Sequence, residues 1–206
     1  QSLVLICSCA RGKAEKGSCV DIAVVIKDEK FHKAVRKSVD RAIKHMKETK
    51  ELAKLGKYCH LDIEITTGKI EVEERDWCSG PDEFELEIGN YFAYGVILFD
   101  KNNYFKKLRN KWLPYYSEKL RKKRLKEAKV YCVNNLDHVF PYVKRKLYFQ
   151  AFDRLYKATQ EFMQALFIKK RVYPIAYDKW VKQQYVEILK MPKLYKQIVN
   201  ILSIEN

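Results

Sequence analysis

The chain has 206 residues, 47% of them hydrophobic, with 14 Tyr, 10 Phe and 3 Trp. That size and composition support one large or two small globular domains and exclude a disordered chain, while 7 Gly and 5 Pro exclude collagen-like and low-complexity classes. The formal net charge is +15, and its distribution is lopsided: residues 1–100 carry 16 basic and 18 acidic side chains, residues 101–206 carry 25 and 8. Such asymmetry predicts two structural units, the second suited to a polyanion (nucleotide phosphates, RNA, an acidic surface) or simply to a solvated lysine-rich face. No apolar run approaches the ~20 residues of a membrane span, and residues 3–7 are too short for a signal-peptide core. The expectation is a cytoplasmic protein with no membrane partner, whose natural start lies upstream because no initiator Met is present.

Residues 3–9 read as a short buried strand, 10–18 as a glycine-bearing loop and 20–26 as a second buried strand. Residues 31–55 repeat apolar side chains at the helical period, with Gly56 as the stop. Over 60–66, Leu61, Ile63 and Ile65 alternate with Asp62 and Glu64. A Thr67-Gly68 turn follows, and 70–77 alternates again, which predicts a hairpin. Ser79-Gly80-Pro81-Asp82 breaks it, a short helix is expected around 83–93, and 95–100 reads as an edge strand. Beyond residue 100 strand signals vanish. Helices are predicted over 118–139, 144–168, 178–189 and 192–201, with Pro174 and Pro192 as punctuation. The predicted fold class is α+β, with a small mixed sheet and flanking helices over residues 1–105 and a helical bundle over 106–206.

The six cysteines are Cys7, Cys9, Cys19, Cys59, Cys78 and Cys132. They form no Cys-x-x-Cys pair, and the four His are scattered, so neither a zinc site nor a disulfide framework is expected.

The order strand, Ser-containing turn, strand with an acid, helix, acidic strand carries chemical information. The segment Cys7-Ser8-Cys9-Ala10-Arg11-Gly12, followed by Ser18-Cys19-Val20-Asp21-Ile22, resembles the nucleotidyltransferase superfamily with the DNA polymerase β-like fold. That family's signature is a Gly-Ser turn, often with Ala-Arg-Gly, then Ser-Asp-x-Asp on the next strand. Acids at i and i+2 of a strand point the same way. A third acid from a neighbouring strand completes a cage for two Mg²⁺ ions, and the turn supplies N–H groups and a hydroxyl for the triphosphate.

By this resemblance, Ser8, Arg11, Gly12 and Ser18 contact the NTP phosphates. Asp21 and Asp62 hold metal, with Cys19 at the position of a family Asp, and Glu64 is a further ligand or the base for the acceptor hydroxyl. Two positions depart from the signature. Cys7 stands for the first Gly and Cys19 for the first Asp, and a soft thiol is a poor ligand for Mg²⁺. Glu71 and Glu73 are weaker candidates. The plain alternative for the acidic strand is a half-buried strand with solvated carboxylates.

The stretch Phe162-Met163-Gln164-Ala165-Leu166-Phe167, then Arg171-Val172-Tyr173-Pro174 and Tyr177-Asp178-Lys179-Trp180, is similar to the C-terminal domain of single-chain, aminoglycoside-modifying-type nucleotidyltransferases. It implies that Lys179 reaches the triphosphate or acceptor, against the alternative of a lysine at a helix start. Phe162, Phe167 and Trp180 read as core. Two basic clusters, residues 119–124 and 144–146, would suit RNA if they share one side. The expected function is therefore Mg²⁺-dependent transfer of a nucleoside monophosphate from an NTP to a hydroxyl of a small molecule, protein or RNA, blunted by Cys19. The alternatives are a non-catalytic nucleotide- or RNA-binding relative that uses the basic helical half, and a scaffold protein. The oligomeric state is open.

Overall fold

The computed structural model describes residues 1–72 and 80–203. The chain is mixed α+β and divides into two compact units. One consists of Gln1–Glu71 with Glu87–Pro114, the other of Val72–Leu86 with Tyr115–Asn206.

The first unit holds a four-stranded sheet of order β3-β2-β1-β4, made of β1 (Ser2–Leu5), β2 (Val20–Val25), β3 (Leu61–Thr66) and β4 (Val96–Asp100). β1 pairs antiparallel with both β2 and β4, while β2 and β3 run parallel. The parallel pair needs a crossover, and α2 (His32–His45) and α3 (Lys47–Leu55) provide it. The expected single helix over 31–55 breaks at Met46, whose ψ of 126° is extended. The second strand of the expected hairpin over 60–66 and 70–77 lies mostly outside the described residues. β3 takes β2 as its partner, residues 70–72 lie outside any strand, and 73–77 fall outside the described residues. The alternation in 60–66 reports one covered and one open sheet face.

The first strand is shorter than expected. It ends at Leu5, and residues Cys7–Ala10 form one helical turn, α1. β4 sits at the sheet edge as expected. A helix absent from the sequence reading, α5 (Tyr104–Trp112), follows it. Asp100 fixes its start by accepting the Phe105 and Lys106 N–H groups at 2.7 and 3.1 Å. The expected domain boundary at 105 falls inside α5, which belongs whole to the sheet unit.

Val4 faces Ala23 and Ser2 faces Val25 in the register, so these four buried side chains share one sheet face. Phe92 and Phe105, each 1% exposed, stack at 5.0 Å in the same core. Each such side chain contributes roughly 1.5–3 kcal/mol by leaving water. Phe92 belongs to a π-helical segment, Ile88–Ala93, which runs back to β4 through Gly95. A Cβ at Gly95 would collide with the Tyr91 carbonyl oxygen and lie 2.9 Å from Val4 Cγ1. Gly95→Ala is therefore expected to destabilise the unit by about 1–3 kcal/mol, the usual range for overpacking, as measured by urea denaturation. A loss below ~0.5 kcal/mol would contradict this packing account.

The second unit is built on two long helices, α6 (Glu118–Lys144) and α7 (Tyr148–Lys170), joined by a tight turn. The first is longer than the predicted 118–139, and the second starts four residues later than predicted. Lys146 adopts φ +59° in the turn between them. Short α4 (Glu83–Glu87) precedes this pair in sequence. After Pro174 come one turn, α8 (Val181–Gln183), a π-helical stretch, Gln184–Ile188, and α9 (Pro192–Leu202). Met163, Phe167, Tyr185, Leu189 and Ile198 form the core, with Phe162 packed against it. Trp180, expected in the core, is 40% exposed and takes φ +59° just before α8. No described helix is long and apolar enough to cross a membrane.

Candidate functional site

The candidate site lies where β1 gives way to α1. Cys7 adopts φ +57°, the left-handed region that favours glycine. It is the position at which the nucleotidyltransferase signature has Gly. The backbone then turns through α1 and exits at Gly12, φ +65°. Ser8 is 8% exposed and its carbonyl accepts the Lys13 N–H at 2.9 Å. Ser18 Oγ accepts the Glu15 N–H at 2.9 Å and closes the loop. Ile6 N–H donates to the Asp21 carbonyl at 2.9 Å, which ties the turn to β2.

Asp21 and Asp62 are direct register partners on β2 and β3, as are Ala23 and Glu64. Partners in a parallel pair present their side chains to the same face, and period two keeps Asp21 with Ala23. Asp21, Asp62 and Glu64 therefore share the face that carries the Val4–Ala23 core, beyond its covered part. Asp62 and Glu64 are exposed and Asp21 is half-buried. Glu71, a weaker candidate, is exposed and outside any strand, and Glu73 lies outside the described residues.

The Cys19 thiol donates to both carboxylate oxygens of Asp21, each at 3.3 Å. Partial burial, then this hydrogen bond, hold its pKa above the ordinary thiol value. Cys7 is pushed up to about 11, first by burial and then by Asp21. Both sulfurs are therefore neutral thiols at pH 7, and neither is a reactive nucleophile. The five described cysteines are free.

Two residues that the sequence reading missed come from the π-helical segment. Tyr91 donates its hydroxyl to Glu64 Oε1. Asn90 Oδ1 accepts from Arg11 Nη1 at 3.1 Å. One short segment thus holds both a turn side chain and a strand carboxylate. A π-helix in place of an α-helix often marks such a site, but no periodicity signal in 88–93 announces it.

The donor set can be tested against Mg²⁺. Asp21 and Asp62, register partners on adjacent strands, are hard carboxylate donors of the kind Mg²⁺ takes, one or two per ion with the remaining positions left to water or phosphate oxygens. Cys19, soft and hydrogen-bonded to Asp21, does not extend the set. Among the described residues no group of three or more His, Cys, Asp and Glu side chains is placed to hold a metal. Lys179 lies in the other unit, exposed, with its carbonyl accepting from Gln184 Nε2 at 3.0 Å.

The second unit contains its own ionisable cluster. Asp82, Glu85, Arg124 and Glu161 are each at most 1% exposed. Arg124 pairs with Asp82 at 2.8 Å and with Glu127 at 3.2 Å. Glu85 accepts from Asp82 N–H at 2.9 Å, Gln164 Nε2 at 2.5 Å and Tyr116 O–H at 3.0 Å. Glu161 accepts the Gly80 N–H at 3.3 Å. Burial pushes Glu85 up to about 7 and Glu161 up to about 8.

Carboxyls raised in the folded state bind more protons than in the unfolded chain, so stability falls as pH rises between their ordinary and folded values. The melting temperature of the helical unit is expected to drop from pH 5 to pH 8, and Glu161→Gln is expected to flatten that slope. Calorimetry across the range checks this, and a melting temperature that climbs with pH would contradict it.

The two basic clusters stand at opposite ends of α6. Arg124 is buried, and Arg121 pairs with Glu118 at 3.0 Å. Residues 144–146 lie at the opposite end of α6, about 30 Å away by helical rise.

Comparison with protein-family models, curated proteins and solved structures yields no match.

Proposed function

We propose that the sheet unit is an NTP site of nucleotidyltransferase type, in which an acceptor hydroxyl attacks the α-phosphorus and pyrophosphate leaves. The observation that best supports this is the coincidence of a left-handed Cys7 at the signature glycine position with Asp21 and Asp62 paired across adjacent parallel strands. The order turn, acidic strand, helical crossover, acidic strand is the second support.

In this reading the α1 turn with Ser8 and Arg11 takes the triphosphate, and Gly12 lets the loop turn beside it. Asp21 and Asp62 hold Mg²⁺, which supplies charge neutralisation at the reacting phosphate. Glu64 accepts the proton of the acceptor hydroxyl as the new P–O bond forms and the bond to the β-phosphate bridging oxygen breaks. Tyr91 occupies Glu64 Oε1 and so directs the carboxylate. The acceptor is a small molecule, a protein or RNA. Cys19 leaves the metal one carboxylate short, which makes this a slow enzyme.

The test is pyrophosphate release from ATP, with water or added hydroxyl compounds as acceptors, with and without Mg²⁺. Mg²⁺-dependent release is expected, and none with any NTP would overturn the reading. A second reading, a nucleotide-binding protein without turnover, is favoured by the Cys19–Asp21 hydrogen bonds, which engage the carboxylate with a thiol. It predicts Mg²⁺-dependent NTP binding with no pyrophosphate.

A further inference from the structure

The turn that joins α6 to α7 holds large apolar side chains in the open. Phe149 is 91% exposed, Phe140 and Tyr148 are each 63% exposed, and Leu147 and Phe152 are exposed beside them in sequence. Lys144, Arg145 and Lys146 are exposed in the same turn. Residues 138–152 contain these three cations and no Asp or Glu. Lys144 Nζ lies 4.6 Å from the Phe140 ring centroid, which sets a cation against an exposed ring. Exposed apolar surface of this extent marks a contact surface, and the charge identifies what it contacts. An anionic bilayer presents phosphate and carboxylate groups above a hydrocarbon layer, the complement of apolar rings interleaved with cations. Aromatic and long cationic side chains are the types that settle at that boundary.

The backbone of the turn meets the same requirement. Arg145 N–H donates to the Tyr142 carbonyl at 3.1 Å, Lys146 N–H to Val143 at 2.9 Å and Leu147 N–H to Tyr142 at 2.9 Å. These groups stay paired when lipid displaces water. Single-stranded RNA takes a basic groove that tracks its backbone, whereas these rings stand at the end of a helical hairpin, and Leu147 among them offers no stacking face.

We propose that the α6–α7 turn docks on an anionic lipid surface. Phe140, Leu147, Tyr148 and Phe149 enter the edge of the hydrocarbon layer, and Lys144, Arg145 and Lys146 pair with lipid phosphates and carboxylates. No described helix is long and apolar enough to cross a membrane, and docking on its face requires none. The proposal revises the expectation of no membrane partner and is independent of the NTP reading.

Co-sedimentation of the full chain with phosphatidylcholine vesicles, alone or with about 30% phosphatidylserine, tests this. Binding to the phosphatidylserine vesicles is expected, weakening as salt rises. Phe149→Ala should weaken it about tenfold or more, as for one Phe side chain kept out of lipid, with an unchanged melting temperature because the side chain is exposed. Lys144→Ala, Arg145→Ala and Lys146→Ala together should weaken it about 100-fold. Tyr58→Ala, at an exposed ring beside Lys57 in the sheet unit, should bind as the natural chain does. No binding to the phosphatidylserine vesicles, whether or not the turn takes single-stranded RNA or another protein, overturns the proposal. Vesicle binding indifferent to Phe149→Ala also overturns it.

Discussion

Arg124→Ala is expected to remove about 3–5 kcal/mol from the stability of the helical unit, the usual cost of stripping one partner from a buried ion pair. Arg124 is 1% exposed and pairs with Asp82, itself 1% exposed. Glu85 and Glu161 are fully buried in the same cluster. Without the guanidinium, Asp82 must be ionised in a low-dielectric interior or protonated at a cost. Domain stabilities of 5–15 kcal/mol leave little margin for such a loss. Urea denaturation followed by circular dichroism at pH 7.5 should show a much lower midpoint or no folded baseline. Because the deficit is one of uncompensated negative charge, the loss should shrink at pH 5. A loss under ~1 kcal/mol, or one that does not shrink in acid, would contradict this account.

Asp21→Ala is expected to abolish Mg²⁺-dependent pyrophosphate release. Asp21 is the one residue that joins the elements of the proposed site. Its carbonyl takes the Ile6 N–H, its carboxylate takes the Cys19 thiol, and its register partner is Asp62. Losing this carboxylate leaves Asp62 alone with the metal, and several kcal/mol of charge stabilisation correspond to roughly 10³-fold in rate. The stability of the sheet unit should change little, since Asp21 is half-buried and its neighbour Cys19 needs no acceptor. Turnover that survives Asp21→Ala would refute the assignment of the site.

The parts legible from sequence were those that depend on local pattern. β2, β3, β4 and the long helices follow apolar periodicity, and the acids on β3 sit where alternation puts them. The turn after β1 was legible as a turn, but its helical geometry was not, because a cysteine side chain does not announce the glycine-like φ that Cys7 adopts and only its place in the signature points to one. The pairing of β3 with β2 was not legible, because alternation says which face is open and nothing about which strand lies alongside. Only the register shows that Asp62 stands beside Asp21.

Tyr91 and Asn90 were missed for a similar reason, since their roles depend on a π-helical bulge and on contacts 27 and 79 residues away in sequence. The buried acid cluster did leave a trace. Glu161 and Gln164 fall on the inward stripe of α7 with Ala158 and Ile168, where apolar residues belong. The basic run 119–124 misled because Arg124, read as surface charge, is the internal counterion of that cluster.

The central claim, that Asp21 and Asp62 with the α1 turn form an Mg²⁺–NTP site short of one carboxylate at Cys19, is tested most directly by calorimetric titration. ATP would be titrated with and without Mg²⁺ into the natural chain and into Cys19→Asp. Cys19 immediately precedes β2 and its thiol already reaches both carboxylate oxygens of Asp21, so the new carboxylate joins the existing pair. The account predicts Mg²⁺-dependent binding by the natural chain that tightens about tenfold or more in Cys19→Asp, in keeping with a gain of ~1.4 kcal/mol from an added hard ligand. Absence of binding by both forms, or binding indifferent to Mg²⁺ and to Cys19→Asp, would contradict it.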